Sequence, residues 1–480
     1  MQTIILVIGK TTFLILLSAG IIIIISLICF LKNLKQIKIK KNVLISLFLI
    51  LLYIPAVNIH IRHKPFMIEL AEKIFSKQKN IIKNYDKKYS SLLNHYSEIN
   101  KSEFIFPIND KDIDIYFIHL ESINSLVVNQ NTMPKLLKYS DRYGVRFDNF
   151  LSNTTQTIRT EESILCSIPP IIAPLKHGIM ENIICLPKIL EWDGYKTIFF
   201  KAHDLEFSDT GKFMKKIGFS ENHNKDIMRK GDPELNWGYR EDIFYKRIYE
   251  YLKKYKDEKK FIYIATSASG HIPFEENDKF DKKLPFENNG SLHNAISNSA
   301  YIQDYYLNDF LKKLIDDKRK KYIFIYSDNA HPIYLKSWIE HKSYKENFSI
   351  PFVFLSINNK NNIQQGKIVN SLYSQIDIFS TLLDLLDIKM KKGKYISNSF
   401  YNELIGKAKN KNENCVLSIQ PFGNQYLNFF MNHYHYIYDI YENKMVYYNT
   451  KTDPFEKNEI QITNQNTINK IYNKCANFIH

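Results

Sequence analysis

Four short apolar runs constrain this chain more than any other feature: Ile113 to Leu120, Thr197 to Phe200, Phe261 to Thr266 and Tyr322 to Tyr326. Each is dense in Ile, Phe, Tyr or Val, and each breaks off abruptly into polar residues. Runs apolar on both faces belong to a parallel sheet covered by helices on either side. Helical periodicity separates them over Met133 to Tyr143, Pro187 to Trp192, Glu241 to Lys256, Asn298 to Ile315 and Ile376 to Leu386. The expected fold is therefore an α/β three-layer sandwich with a mainly parallel sheet. In such sheets ligands bind beyond the carboxyl ends of the strands. Four clusters should then meet: Glu121; Lys201, His203 and Asp204; Ser267 and His271; and Ser327, Asp328, Asn329 and His331.

The first 60 residues bear on compartment. Thr11 to Leu31 is an apolar run of roughly 20 residues, enough to cross a bilayer, and Val43 to Ile59 is a shorter second span. Lys32, Lys35, Lys38, Lys40 and Lys41 lie between them, a short basic loop of the kind retained in the cytoplasm. Everything after Ile59 is then extracytoplasmic. A cleaved signal peptide is the competing reading, but the first run is long for one and a second run follows. From Phe66 to Tyr96 apolar residues recur largely at three- and four-residue steps among lysines, an amphipathic helix linking the membrane to the domain that follows. The expected organisation is an anchor at 1–62, this linker at 63–108, a catalytic domain at 109–390 and a small C-terminal α+β subdomain at 391–480, with Tyr434 to Tyr438 and Met445 to Tyr448 as antiparallel strands.

Cys29 falls in the first apolar run, leaving Cys166, Cys185, Cys415 and Cys475 to pair in an oxidising compartment. Pairing 166 with 185 and 415 with 475 closes each loop within one region. Lys and Arg number 65 against 50 Asp and Glu, a net charge of +15 that invites an anionic partner. No basic motif has nucleic-acid spacing, so an anionic phospholipid surface or phosphorylated substrate fits better.

Glu121 and Asp328, with Asn329 or His331 beside them, offer hard ligands for one divalent cation such as Mg²⁺, Mn²⁺, Ca²⁺ or Zn²⁺. A nearby threonine hydroxyl gives such an ion a purpose, because coordination stabilises its alkoxide near neutral pH. Thr154, Thr155, Thr157 and Thr160 all qualify by chemistry. The bland alternative is that these carboxylates cap helices or pair with lysines. Arg159 could grip a phosphate oxygen with its planar fork, or serve only as scaffold.

The stretches HLESIN at His119 to Asn124 and TMPKLLKYSDRYGVRFDNFLSN at Thr132 to Asn153 resemble the opening of the lipoteichoic acid synthase branch of the sulfatase-like family, within the alkaline phosphatase superfamily. SASGHIPF at Ser267 to Phe274, YSDNAHP at Tyr326 to Pro332, QIDIFSTLLDLLDI at Gln375 to Ile388 and NTKTDPFEKNEI at Asn449 to Ile460 continue the resemblance in order. It implies metal ligands at Glu121 and Asp328, a covalent nucleophile at Thr160 that is also a ligand, a substrate histidine at His271, and substrate contacts at Lys201 and His203. It further implies transfer of phosphoglycerol or phosphoethanolamine from an anionic phospholipid to a cell-surface glycan or lipid, with ester hydrolysis as the alternative and an inactive surface scaffold as a lesser one.

Three departures limit that transfer of roles. Asp328-Asn329 is similar to the calcium-binding pair of true sulfatases rather than the Asp-His of the transferases. The Trp and Arg that line the phosphoglycerol pocket of lipoteichoic acid synthases would fall near Ser208 and Thr210. Cys166-Ser-Ile-Pro-Pro170 imitates the start of a sulfatase C/S-x-P-x-R motif but lacks its Arg, which makes Cys166 structural. Asp242, after Trp237-Gly238, resembles a helix start of the family.

Overall fold

The computed structural model describes residues 90–108, 112–170, 183–331, 344–359, 362–391, 395–408, 414–420, 426–439, 442 and 444–475. The expected spans Thr11 to Leu31 and Val43 to Ile59, the lysine loop between them and most of the amphipathic segment lie outside these residues. Among the described residues no helix is long and apolar enough to cross a membrane. The end of the amphipathic segment is described: it is helical over 90–98 and buries Leu92 and Tyr96 in the main core.

Eight strands form the central sheet: β1 Ile113–Leu120, β2 Gly144–Phe147, β3 Lys196–Lys201, β4 Glu221–His223, β5 Lys260–Ala265, β6 Lys320–Ser327, β7 Phe352–Ile357 and β8 Lys367–Val369. Their order is β8-β2-β7-β6-β1-β5-β3-β4. Strands β6, β1, β5, β3 and β4 pair in parallel, whereas β7 runs antiparallel to both β6 and β2. The sheet is thus mainly parallel, as the apolar runs indicated, with one reversed strand.

Alternation along β1 sends Ile115 and Phe117 into one apolar cluster and Tyr116, Ile118 and Leu120 into another. Helices α1 Pro134–Tyr143, α4 Glu241–Leu252 and α5 Leu292–Asp316 cover the second face through Leu136, Phe244, Ile248, Leu307 and Phe310. Helices α2 Thr157–Cys166, α3 Leu186–Trp192 and α6 Asp377–Leu386 cover the first through Ile164, Leu165, Ile189, Phe379 and Leu382. Helix α5 begins earlier than its periodicity suggested, because the Ser291 side chain accepts from the Asn294 N–H. From within α5, Asp304 caps α1 by accepting from the N–H groups of Lys135 and Leu136 at 2.9 and 2.7 Å.

A five-stranded antiparallel sheet follows: β9 Cys415–Gln420, β10 Tyr426–Met431, β11 Tyr434–Asp439, β12 Lys444–Asn449 and β13 Ile460–Ile462, with α7 Gln465–Cys475 packed on it. Tyr395, Phe400 and Leu404 belong instead to the main core. Disulfides join Cys166 to Cys185, from the end of α2 to the start of α3, and Cys415 to Cys475, from β9 to α7. Both are the pairings that short loop closure favoured.

Candidate active site

Register places the two acids. On β1 and β6, Leu120 stands opposite Ser327, so Glu121 and Asp328 leave the sheet side by side at its carboxyl edge. His119, two residues before Glu121, is the penultimate residue of β1. One ligand atom each from His119, Glu121 and Asp328 lies within 4.8 Å of the others, and all three residues are buried. His119 was overlooked in the sequence because it sits inside an apolar run. Its two-residue spacing from Glu121 was the available signal.

Ser122, at positive φ, ties the acids together. Its N–H donates to Asp328 Oδ1 at 2.9 Å, and its hydroxyl lies 2.8 Å from Glu121 Oε1 and 3.1 Å from Asn329 Oδ1. Asn329 donates through Nδ2 to Asp328 Oδ2 at 2.7 Å. Behind them Gln303 brackets the Glu121 backbone, accepting from its N–H and donating to its carbonyl, both at 3.1 Å. The turn carrying His271 passes so close that a Cβ on Gly270 would lie 2.2 Å from the Glu121 carbonyl oxygen. Only glycine fits that approach.

The donor set suits a dication. Burial, and then the neighbouring Asp328, push the Glu121 carboxyl well above the usual carboxylate range. Burial also works against ionised Asp328, but His119, the Thr157 hydroxyl and the Ser122 N–H outweigh it and hold that carboxyl low. Neither ring nitrogen of His119 has a hydrogen-bond partner among the described residues; its Nε2 lies 3.5 Å from Asp328 Oδ2. Two adjacent buried carboxylates and an imidazole without hydrogen bonds fit one divalent cation, with Asn329 alongside. His331, the alternative to Asn329, is half-buried against Phe274 and is not among the three clustered residues. Burial, and then His271, push its imidazole down to about 4.

Helix α2 decides between the threonines. Thr157, its first residue, donates its hydroxyl to Asp328 Oδ2 at 2.5 Å and lines the cavity beside the acids. Thr160 is fully buried, and its hydroxyl donates to the backbone carbonyl of Asp328 at 2.8 Å, away from the carboxylates. Thr160, the expected nucleophile, is thus buried one turn beyond Thr157 and is not among the residues that line the cavity. Arg159, expected on substrate, is 1% exposed and holds Glu162 through Nη1 at 2.8 and 3.0 Å. Thr154 is buried where the chain bridges to Ile419, and Thr155 does not line the cavity.

The cavity, about 130 Å³, runs from the acids to an aromatic wall. Lys201, in register with Ala265 on β5, donates to Thr210 Oγ1 at 2.8 Å, and burial lowers its affinity for a proton. His203 and His271 also line the cavity, and burial lowers both imidazoles below their ordinary value. Trp237 and Phe207, not singled out in the sequence as site residues, complete the wall; Trp237 stacks on His271 with ring centroids 3.6 Å apart. Glu161 lies on the cavity side of α2 and draws on Lys201 electrostatically.

The family model described as Sulfatase matches residues 117–388. A search of curated proteins by sequence finds no match. Among solved structures, the fold is similar to an alkaline phosphatase superfamily protein from Vibrio parahaemolyticus (TM-score 0.62, 16% identity, 82% of this chain and 94% of that one). It is also similar to the lipoteichoic acid synthase LtaP from Listeria monocytogenes (0.58, 17%, 81% and 96%) and to a 2-O GAG sulfatase (0.57, 17%, 75% and 89%). Those likenesses carry the fold, and the family model covers more than half of the chain and includes His119, Glu121, Thr157 and Asp328: the chain belongs to the sulfatase family.

Proposed function

We propose that this sulfatase-family enzyme is a metal-dependent transferase that moves a phospho-substituent, phosphoglycerol or phosphoethanolamine, from an anionic phospholipid to a hydroxyl on a cell-surface glycan or lipid, with Thr157 as nucleophile. The carrying observation is the Thr157 hydroxyl held on Asp328 at 2.5 Å at the first turn of α2, facing the cavity. A helix N-terminus and Lys201 together favour an anionic phosphoryl group at that spot. Asp328 orients the hydroxyl by accepting its hydrogen bond, and as Oγ1 attacks phosphorus the hydroxyl proton ends on the leaving oxygen, which departs as an alcohol. The bond from phosphorus to that oxygen breaks and a phospho-substituted Thr157 remains; the acceptor hydroxyl then attacks phosphorus, the bond to Oγ1 breaks, and the acceptor's proton restores the Thr157 hydroxyl. His119, Glu121 and Asp328, with Asn329 beside them, would hold the cation, whose charge would favour negative charge developing on the threonine oxygen. The cavity is well below the ~300–1,000 Å³ of sites that enclose whole drug-sized ligands, which suits a headgroup rather than a lipid.

In this reading Thr11 to Leu31 and Val43 to Ile59 anchor the enzyme in the cytoplasmic membrane, with the catalytic domain outside the cytoplasm. Tethering raises the effective concentration of a lipid donor. The disulfide at Cys166 supports a threonine route, since that thiol is not free to act as a sulfatase nucleophile. Asn329 beside Asp328 favours the second reading, hydrolysis of a sulfate or phosphate ester with water as acceptor. Intact-mass measurement after incubating the metal-loaded full chain with phospholipid tests both. An adduct on Thr157, absent from Thr157→Ala, supports the threonine route; turnover that requires an acceptor hydroxyl supports transfer, and product released without one supports hydrolysis; the absence of both adduct and product overturns the enzymatic reading.

A further inference from the structure

His271 has a fixed direction of hydrogen bonding. Its Nδ1 lies 2.9 Å from the backbone carbonyl of Ile272, an atom that only accepts, so Nδ1 carries the ring proton. The same carbonyl receives the indole N–H of Trp237 at 3.0 Å, while the Trp237 ring lies over the imidazole at an interplanar angle of 25°. Trp237 is itself fixed: its carbonyl accepts the Ser267 hydroxyl at 2.5 Å, and Gly238 follows at φ +117, where a Cβ would lie 2.5 Å from the Ala202 carbonyl oxygen at the end of β3. With Nδ1 turned onto the chain, Nε2 is the free polar edge of a ring that lines the cavity, and it has no partner among the described residues.

We propose that Trp237 is a positioning residue that locks His271 with its proton on Nδ1, so that the bare Nε2 accepts a hydrogen bond from a hydroxyl or amine on the group attached to phosphorus. This deepens the transferase reading and rests on it for the identity of the substrate. The remaining polar groups on this side of the cavity include Lys201, which donates, so His271 supplies an acceptor where a cation alone would not discriminate. A donor-bearing headgroup is selected over one that ends in an alkyl chain.

Two measurements on the full chain test it. Ring-nitrogen NMR of histidine-labelled protein, with His271→Gln to assign the signal, should show protonated Nδ1 and bare Nε2. Trp237→Ala should mix the tautomers and Trp237→Phe, which keeps a stacking ring, should restore most of the signature. Turnover of hydroxyethyl, aminoethyl and ethyl p-nitrophenyl phosphodiesters should favour the first or second over the third by about tenfold, the scale of one hydrogen bond. That preference should disappear in Trp237→Ala and His271→Leu, and whichever of the two esters is favoured identifies the donor. A protonated Nε2 in the wild type, an unchanged tautomer in Trp237→Ala, or equal turnover of the ethyl ester overturns the proposal. The NMR result does not depend on Thr157, so loss of the covalent adduct and loss of the tautomer lock are separate failures.

Discussion

Asp328 accepts the hydroxyl of Thr157 on its carboxylate at 2.5 Å, while one helical turn further on Thr160 gives its hydroxyl to the backbone carbonyl of the same aspartate. The first contact faces the cavity and the second closes the structure beneath it. Thr157→Ala should therefore lower turnover by on the order of 10³-fold or more. Thr160→Val should leave turnover within a few-fold and cost about 1 kcal/mol of stability, because Gln375 Nε2 still donates to the Asp328 carbonyl at 2.7 Å. Steady-state kinetics and urea unfolding on the two variants separate these roles.

Gln303 holds the Glu121 backbone at both its N–H and its carbonyl. Supports of this kind tune a metal site without touching the ion. Gln303→Leu should weaken metal affinity by about 10- to 100-fold, the usual effect of losing such a support. His119→Ala, which removes a candidate ligand, should weaken it more. Asn329→Ala should also weaken it, whereas His331→Ala should not, since His331 lies outside the buried cluster. Chelator competition on purified protein reads all four, and equal losses at Asn329 and His331 would reverse the choice between them.

Much of this site was legible in the sequence, because strand ends are. The apolar runs ending at Leu120 and Ser327 announced adjacent parallel strands, and their shared register brings Glu121 and Asp328 together. Which threonine meets the carboxylates depends on where α2 begins: three residues are nearly one full turn, so Thr157 and Thr160 point the same way and differ mainly by about 4.5 Å along the helix axis. Thr157 is the first residue of α2 and Thr160 lies one turn deeper, a placement that linear spacing does not record, and the family resemblance pointed to Thr160. His119 was masked by its apolar neighbours. Trp237 reaches the site through a loop paired to the end of β3, by way of the Tyr239 N–H on the Ala202 carbonyl, a long-range contact that no local pattern encodes.

Removing the Cys166–Cys185 disulfide tests whether that cysteine has a catalytic role. The bridge spans 19 residues, and closing a loop of that size stabilises a fold by about 3 kcal/mol. The double serine variant should lose stability on that scale in denaturant titrations. Its turnover per folded molecule should stay within a few-fold of the parent, because neither cysteine lines the cavity. A collapse in turnover with folding intact would make Cys166 a candidate nucleophile, against its structural reading.

Asp377, at the start of α6, should give the fold a dependence on pH that is separate from the cluster of His119, Glu121 and Asp328. Its carboxylate accepts from the N–H groups of Ser374 and Asn398 at 2.9 and 2.8 Å, yet burial prevails and pushes it up to about 7. A folded-state value above the unfolded one, about 3.9, means that the native state binds the proton more tightly. The stabilisation is complete below about pH 4 and is lost as pH rises through about 7. Asp304, pushed up to about 6 by burial, acts in the same direction over a slightly lower window. The thermal midpoint should therefore fall between about pH 5 and about pH 8. In Asp377→Asn that fall should be shallower, even though the amide turns a donor toward one of the two N–H groups and lowers stability at acid pH. An unchanged slope in the variant would place the titrating group elsewhere, with Asp304→Asn the next to measure.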